Sequence, residues 1–127
     1  MSGELIFIVD DNPLNLKLVD FLLSAKGYEV RSAPDGKSAL KKLTTCQPDL
    51  ILMDIQLPDI NGLDLTQKLK KDLKYRDIPI VALTAYAMEG DKEKILASGC
   101  DGYISKPIDT TTLPEIVADY LSKRSKT

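Results

Sequence analysis

LIFIVDDNP, residues 5–13, contains a complete strand-to-helix transition. The apolar run reads as a strand over 5–10, buried on both faces of a parallel sheet. It ends on Asp10 and Asp11. Asn12 then offers an N-cap, and Pro13 fits the first helical position, where its missing N–H costs little. Leu14, Leu18, Phe21, Leu22 and Ala25 follow at helical spacing, and Gly27 is the expected C′ stop.

The same strand-then-helix pattern recurs along the chain. Glu29–Ala33 alternates as a short strand, and the turn Pro34-Asp35-Gly36 leads into a helix over 37–45, with Leu40 and Leu43 inward. Leu50–Asp54 reads as the third strand. Turn residues fill 56–62, and Leu65, Leu69 and Leu73 recur every fourth position after them. Ile80–Thr84 reads as the fourth strand. The helix after it, over 91–98, has only Ile95 and Leu96 as its main apolar residues, which makes it the least firmly packed. Gly102–Ser105 reads as the fifth strand. Leu113, Ile116, Val117, Tyr120 and Leu121 then form the cleanest helical stripe, with Thr112 and Glu115 placed for a capping box and Pro114 in the first turn. Five such units predict a parallel sheet with right-handed crossovers and helices on both faces, in one domain over 1–127 with no output domain.

Bulk properties narrow the function. A 127-residue chain suits one compact domain, and 43% hydrophobic with 28% charged residues supports a real core. Seventeen basic against nineteen acidic residues give a net charge of −2, without the basic stripe of a nucleic-acid binder. Lys123, Arg124 and Lys126 read as a solvated tail. No apolar run is long enough to span a membrane, and the first strand begins too early for a signal peptide. Cys46 and Cys100 fit no metal-ligand spacing and read as reduced thiols, which suits a cytoplasmic protein. Histidine is absent, which excludes Ser-His-Asp sites, Cys-His sites and histidine-ligated metals. Any phosphohistidine chemistry therefore needs a histidine from another molecule.

Four strand ends carry reactive groups: Asp10 and Asp11, Asp54, Thr84, and Lys106 just before Pro107. Ligands of open α/β sheets bind at the carboxyl ends of the strands, so these groups are expected to converge. A carboxylate can accept a phosphoryl group as an acyl phosphate. Clustered carboxylates repel, by ~4 kcal/mol for two unit charges about 4 Å apart at an effective dielectric near 20. A divalent cation such as Mg²⁺, with Mn²⁺ as a substitute, removes that repulsion and takes oxygen ligands. A lysine can clamp a phosphoryl oxygen and a hydroxyl can donate to another. Each of these groups also has an ordinary reading: Asp10 and Asp11 as strand end and cap, Thr84 as a β-branched strand residue, Lys106 as a surface charge. Met53 and Met88 read as packing residues. Asp59, Asp64, Asp91 and Asp101 read as caps, turns or solvated charges.

VDDN at 9–12, MDIQLPDINGL at 53–63, ALTAYA at 82–87 and YISKP at 103–107 stand in order, each at a strand end. Together they resemble the receiver domain of two-component response regulators, over essentially the whole chain. The resemblance implies a flavodoxin-like fold with strand order 2-1-3-4-5 and Asp54 as phosphoacceptor. It implies Mg²⁺ held by Asp11, Asp10, Asp54 and the backbone carbonyl of Gln56. Thr84 and Tyr103 become switch residues, the side chains of Gln56 and Tyr86 tune the phosphate lifetime, and the Lys106–Pro107 bond is cis. The implied partners are a sensor histidine kinase or histidine phosphotransfer protein and a downstream protein target, with the chain a monomer or weak dimer. DNPLNLKLV and TAYAMEGD are similar to stand-alone receivers of the DivK type, and almost as similar to receivers attached to hybrid histidine kinases. Two other classes compete. A haloacid-dehalogenase-like phosphatase also uses an aspartyl phosphate, but carries DxDx[TV] at its first strand where VDDNP stands here. A pseudo-receiver that only mediates binding would not need the full set of site residues.

Overall fold

The computed structural model of the protein describes residues 3–85 and 89–125. Tyr86, Met88 and Lys126, and the side chains of Lys123 and Arg124, lie outside the described residues. Five strands alternate with five helices: β1 (Leu5–Val9), α1 (Pro13–Ser24), β2 (Glu29–Ala33), α2 (Gly36–Leu43), β3 (Leu50–Asp54), α3 (Gly62–Lys70), β4 (Ile80–Thr84), α4 (Glu89–Ala97), β5 (Gly102–Ser105) and α5 (Thr112–Ser125). All strand pairs are parallel, in the order β2-β1-β3-β4-β5. This is the expected doubly wound α/β sheet.

Side-chain alternation divides the core in two. Phe7, Val9, Ile51, Met53, Ile80 and Ala82 face α2, α3 and α4, meeting Ala39, Leu43, Leu65, Leu69 and Ile95. Ile6, Ile8, Leu50, Leu52, Val81 and Leu83 face α1 and α5, meeting Val19, Leu23, Leu113, Val117 and Leu121. β3 and β4 are buried along their whole length, which is why their sequences show no polar alternation. Burying one such aliphatic side chain contributes about 1.5–3 kcal/mol.

Several local expectations are corrected. In α1 the buried residues are Val19 and Leu23, while Leu14 and Phe21 are each 74% exposed. The helix is apolar nearly all round, so spacing alone did not select its inner face. Gly27 has φ +92°, but it sits two residues beyond the C-cap Ala25, one later than the C′ position. The helix after β2 begins at Gly36 and ends at Leu43, short of the expected 45. α3 stops at Lys70, which leaves Leu73 outside the helix and 76% exposed. α4 begins two residues before the expected 91; Ile95 is buried and Leu96 is 53% exposed. Thr112 does not cap α5. Asp109 does, its carboxylate accepting the backbone N–H groups of Thr111 and Thr112 at 2.8 and 3.2 Å. Pro114 lies in the first turn, as expected.

The β3–α3 loop, which leads away from Asp54, is tied down at both ends. Gln56 and Asn61 form an isolated antiparallel bridge, and the N–H of Gly62 donates to the carbonyl of Ile55 at 3.0 Å. A Cβ at Gly62 would collide with the carbonyl oxygen of Asp54, so only glycine permits this close approach. Across the loop, the Asp59 carboxylate accepts the N–H groups of Gly36 and Lys37 at 2.8 and 2.9 Å. Asp35 takes the N–H of Ser38 at 2.7 Å, and its carbonyl takes that of Ala39 at 3.0 Å. Three of the donors at the start of α2 that have no acceptor within the helix, those of Gly36, Lys37 and Ser38, are thus satisfied, two of them by a residue more than twenty positions away.

Candidate functional site

Register brings the strand ends together. Val9 is paired with Met53, so the next residues, Asp10 and Asp54, emerge side by side at the carboxyl edge. Asp54 itself pairs with Leu83, and Thr84 with Ser105, which places Thr84 and Lys106 on the flank of the same edge. The backbone N–H of Lys106 donates to the Thr84 carbonyl at 2.7 Å, extending the ladder one step past β5. The Lys106–Pro107 bond is cis, as expected.

Asp10 is fully buried, Asp54 is 3% exposed and Thr84 is 1% exposed. Burial of this kind, among carboxylates, requires partners. Lys106 supplies its ammonium to both, Nζ lying 3.0 Å from Asp54 Oδ2 and 3.3 Å from Asp10 Oδ2. Asp54 Oδ1 accepts the N–H of Gln56 at 2.9 Å. Asp11 is exposed beside them, and one carboxylate oxygen from each of Asp10, Asp11 and Asp54 lies within 4.8 Å of the others. This is a hard, all-oxygen donor set of the kind that suits Mg²⁺. Gln56 is exposed just outside the cluster, and Tyr103 is half-buried with the Lys92 ammonium 5.6 Å from its ring centroid. Of the expected site residues, only Tyr86 lies outside the described residues.

The electrostatics are asymmetric. Desolvation pushes the Asp54 carboxyl above the usual carboxylate range, aided by the charge of Asp10; the Gln56 N–H and Lys106 offset only part of this. Burial pulls the Lys106 ammonium down, but its hydrogen bond to Asp54 and the charges of Asp10 and Asp54 outweigh that pull and leave it above the ordinary lysine value. One cation shared by two buried carboxylates, with a third beside them, leaves excess negative charge that a divalent cation would balance.

Sequence reasoning missed two side chains that serve this edge. Asn15 donates from Nδ2 to Asp10 Oδ2 at 3.2 Å. Asp59 reads from the sequence as a cap, turn or solvated charge and does cap α2; what the sequence hides is that this cap comes from the β3–α3 loop and ties the segment bearing Gln56 to that helix. Neither has a distinctive signal, because asparagine in a first helical turn and aspartate in a turn are both commonplace.

A five-stranded parallel sheet in this order, with buried acids and a lysine converging at its carboxyl edge, defines a recognisable class. A model of the response regulator receiver domain matches residues 6–118, and the chain belongs to that family. Among characterised relatives it is 48% identical over 116 residues to the polar-differentiation response regulator DivK of Brucella anthropi, covering 91% of this chain and 94% of that protein. The chemotaxis response regulator CheY4 of Vibrio cholerae superposes with a TM-score of 0.89 at 28% identity, over 94% of this chain and 99% of that one. The receiver domain of a sensor histidine kinase from Pseudomonas aeruginosa PAO1, which carries a magnesium ion in its active-site cleft, superposes with a TM-score of 0.86 at 34% identity, over 95% and 99%. Among the described residues, no helix is long and apolar enough to cross a membrane.

Proposed function

We propose that this receiver accepts a phosphoryl group on Asp54 from a phosphohistidine of a partner protein, a sensor histidine kinase or a histidine phosphotransfer protein. The observation that carries this reading is the contact between the buried Asp54 carboxylate and Lys106 Nζ at 3.0 Å, beside a second buried carboxylate. A carboxylate oxygen of Asp54 attacks phosphorus, the P–N bond to the partner's imidazole breaks, and its electron pair stays on nitrogen. Lys106 shifts its hydrogen bond from Asp54 to a phosphoryl oxygen, and the Thr84 hydroxyl donates to another. Asp10, Asp11, Asp54 and the Gln56 carbonyl would hold Mg²⁺, which supplies neutralisation of charge developing on the phosphoryl oxygens. The chain itself contains no histidine, so the donor half of the transfer belongs to the partner.

Phosphorylation then adds a dianion where Thr84 and Lys106 converge. Thr84 moves toward it and Tyr103 changes rotamer, which alters the surface offered to a downstream protein target. α4 suits a movable neighbour, because among the described residues of that helix Ile95 alone is a fully buried apolar anchor. Gln56 and Tyr86 are the residues assigned to tuning the phosphate lifetime. The protein acts in the cytoplasm as a signalling phosphoacceptor rather than an enzyme turning over external substrates.

Incubation with Mg²⁺ and a small acyl phosphate tests this. The expected product is about one acid-stable, base-labile phosphate per chain, as for an acyl phosphate. Release of many equivalents of inorganic phosphate from a phosphate ester would instead identify a phosphatase.

A further inference from the structure

We propose that Asn15 is a positioning residue for the acidic site: its amide holds the Asp10 carboxylate in the orientation from which Asp10 serves the metal. The inference rests on the reading of Asp10, Asp11 and Asp54 as a cation site.

The argument starts at the beginning of α1. Asn12 is the N-cap and its Oδ1 accepts the N–H of Leu14 at 2.9 Å. Pro13, Leu14 and Asn15 are therefore the first three helical positions. In a capping box the third residue reaches back to the N–H of the cap itself. Here that N–H, from Asn12, is taken by Asp10 Oδ1 at 2.9 Å. The side chain of Asn15 is relieved of the capping task and donates to the other oxygen, Asp10 Oδ2, at 3.2 Å. Asp10 is thereby gripped at both oxygens by the same helix turn, with Lys106 as a third donor at 3.3 Å.

An ionised carboxylate offers about four lone-pair sites. Three on Asp10 are engaged by Asn12, Asn15 and Lys106, so its rotation is tightly limited and one site is left. Asn12 and Lys106 cannot replace Asn15 in this. The Asn12 bond pins only Oδ1, and Lys106 is shared with Asp54. Without the amide, Asp10 loses its second anchor from α1. Partners that orient a metal's carboxylates typically change metal affinity by about 10–100-fold when removed.

The test is titration calorimetry of the full chain with Mg²⁺, comparing Asn15→Leu, Asn15→Ala and Asn15→Gln with the parent. Leu and Ala remove the donor; Gln retains an amide. The expected result is a Kd for Mg²⁺ raised about tenfold or more by Leu and Ala, partly recovered by Gln, with metal-free melting little changed. In acyl-phosphate reactions the Mg²⁺ needed for half-maximal rate should rise by the same factor, while the rate at saturating Mg²⁺ stays within about twofold. A folded Leu or Ala variant that binds Mg²⁺ as tightly as the parent, or tighter, overturns the proposal. A parent that binds no Mg²⁺ at all overturns the cation site itself, and the role of Asn15 with it.

Discussion

Asp54 carries its charge at a cost to the fold. Burial and the Asp10 charge raise its carboxyl above the usual range. Raised in the folded state, the carboxyl contributes no penalty below its unfolded value near 3.9. As pH climbs through that value the penalty sets in, and it is complete once the folded value is passed. Asp54→Asn is therefore expected to melt above the parent at neutral pH without metal, with the gap closing in acid; a lower melting temperature at neutral pH would contradict this. Gly62 makes the opposite case. Gly62→Ala forces a methyl group against the Asp54 carbonyl and should cost roughly 1–3 kcal/mol in denaturant unfolding, as overpacking does. Thiol labelling offers a third check. Burial raises the Cys100 thiol and leaves it 5% exposed, whereas Cys46 is partly accessible, so a thiol reagent should modify Cys46 first in the native protein. The acids, Thr84 and Lys106 were legible in the sequence because each ends a strand and has a distinct chemical task. Asn15 was not, because its task depends on which oxygen of Asp10 the helix has already taken.

Elements were legible where one face alone is apolar or where a run is wholly buried. β3, β4 and β5 fall where their apolar runs predict, and β1 ends at Val9, one residue short of the expected 10, because Asp10 turns its carboxylate to the N–H of Asn12. α1 misled, because apolar residues lie on most of its faces, and the face that packs on the sheet carries Val19 and Leu23. The face assignment is checked directly by denaturation: Phe21→Ser should change stability by no more than about 0.5 kcal/mol, and Leu23→Ala should cost about 2–5 kcal/mol. The link between α2 and the β3–α3 loop was invisible because its donors and acceptor are more than twenty residues apart. The Gly36 and Lys37 N–H groups hold the Asp59 carboxyl below its ordinary value. With the folded value depressed, the stabilisation is full above the unfolded value near 3.9 and is lost as pH falls through the folded one. Asp59→Asn should therefore melt below the parent at neutral pH and converge with it in acid. Curves that stay parallel at every pH would show that the carboxylate charge is not what holds the loop.

At the scale of the whole molecule, two cores clamp one sheet and leave its carboxyl edge as the place where buried charge is tolerated. Residues distant in sequence meet there because parallel pairing aligns strand ends, which is why the site could be anticipated from topology. A cation bound only by the folded chain stabilises it by mass action, about 2.7 kcal/mol at one hundred times Kd. The central claim is that Asp54 accepts the phosphoryl group, and peptide mapping by mass spectrometry after reaction with Mg²⁺ and a small acyl phosphate tests it most directly. The account predicts one added phosphoryl group, confined to the peptide containing Asp54, dependent on Mg²⁺ and absent from Asp54→Asn. A phosphoryl group on another residue, or one that persists in Asp54→Asn, would contradict it.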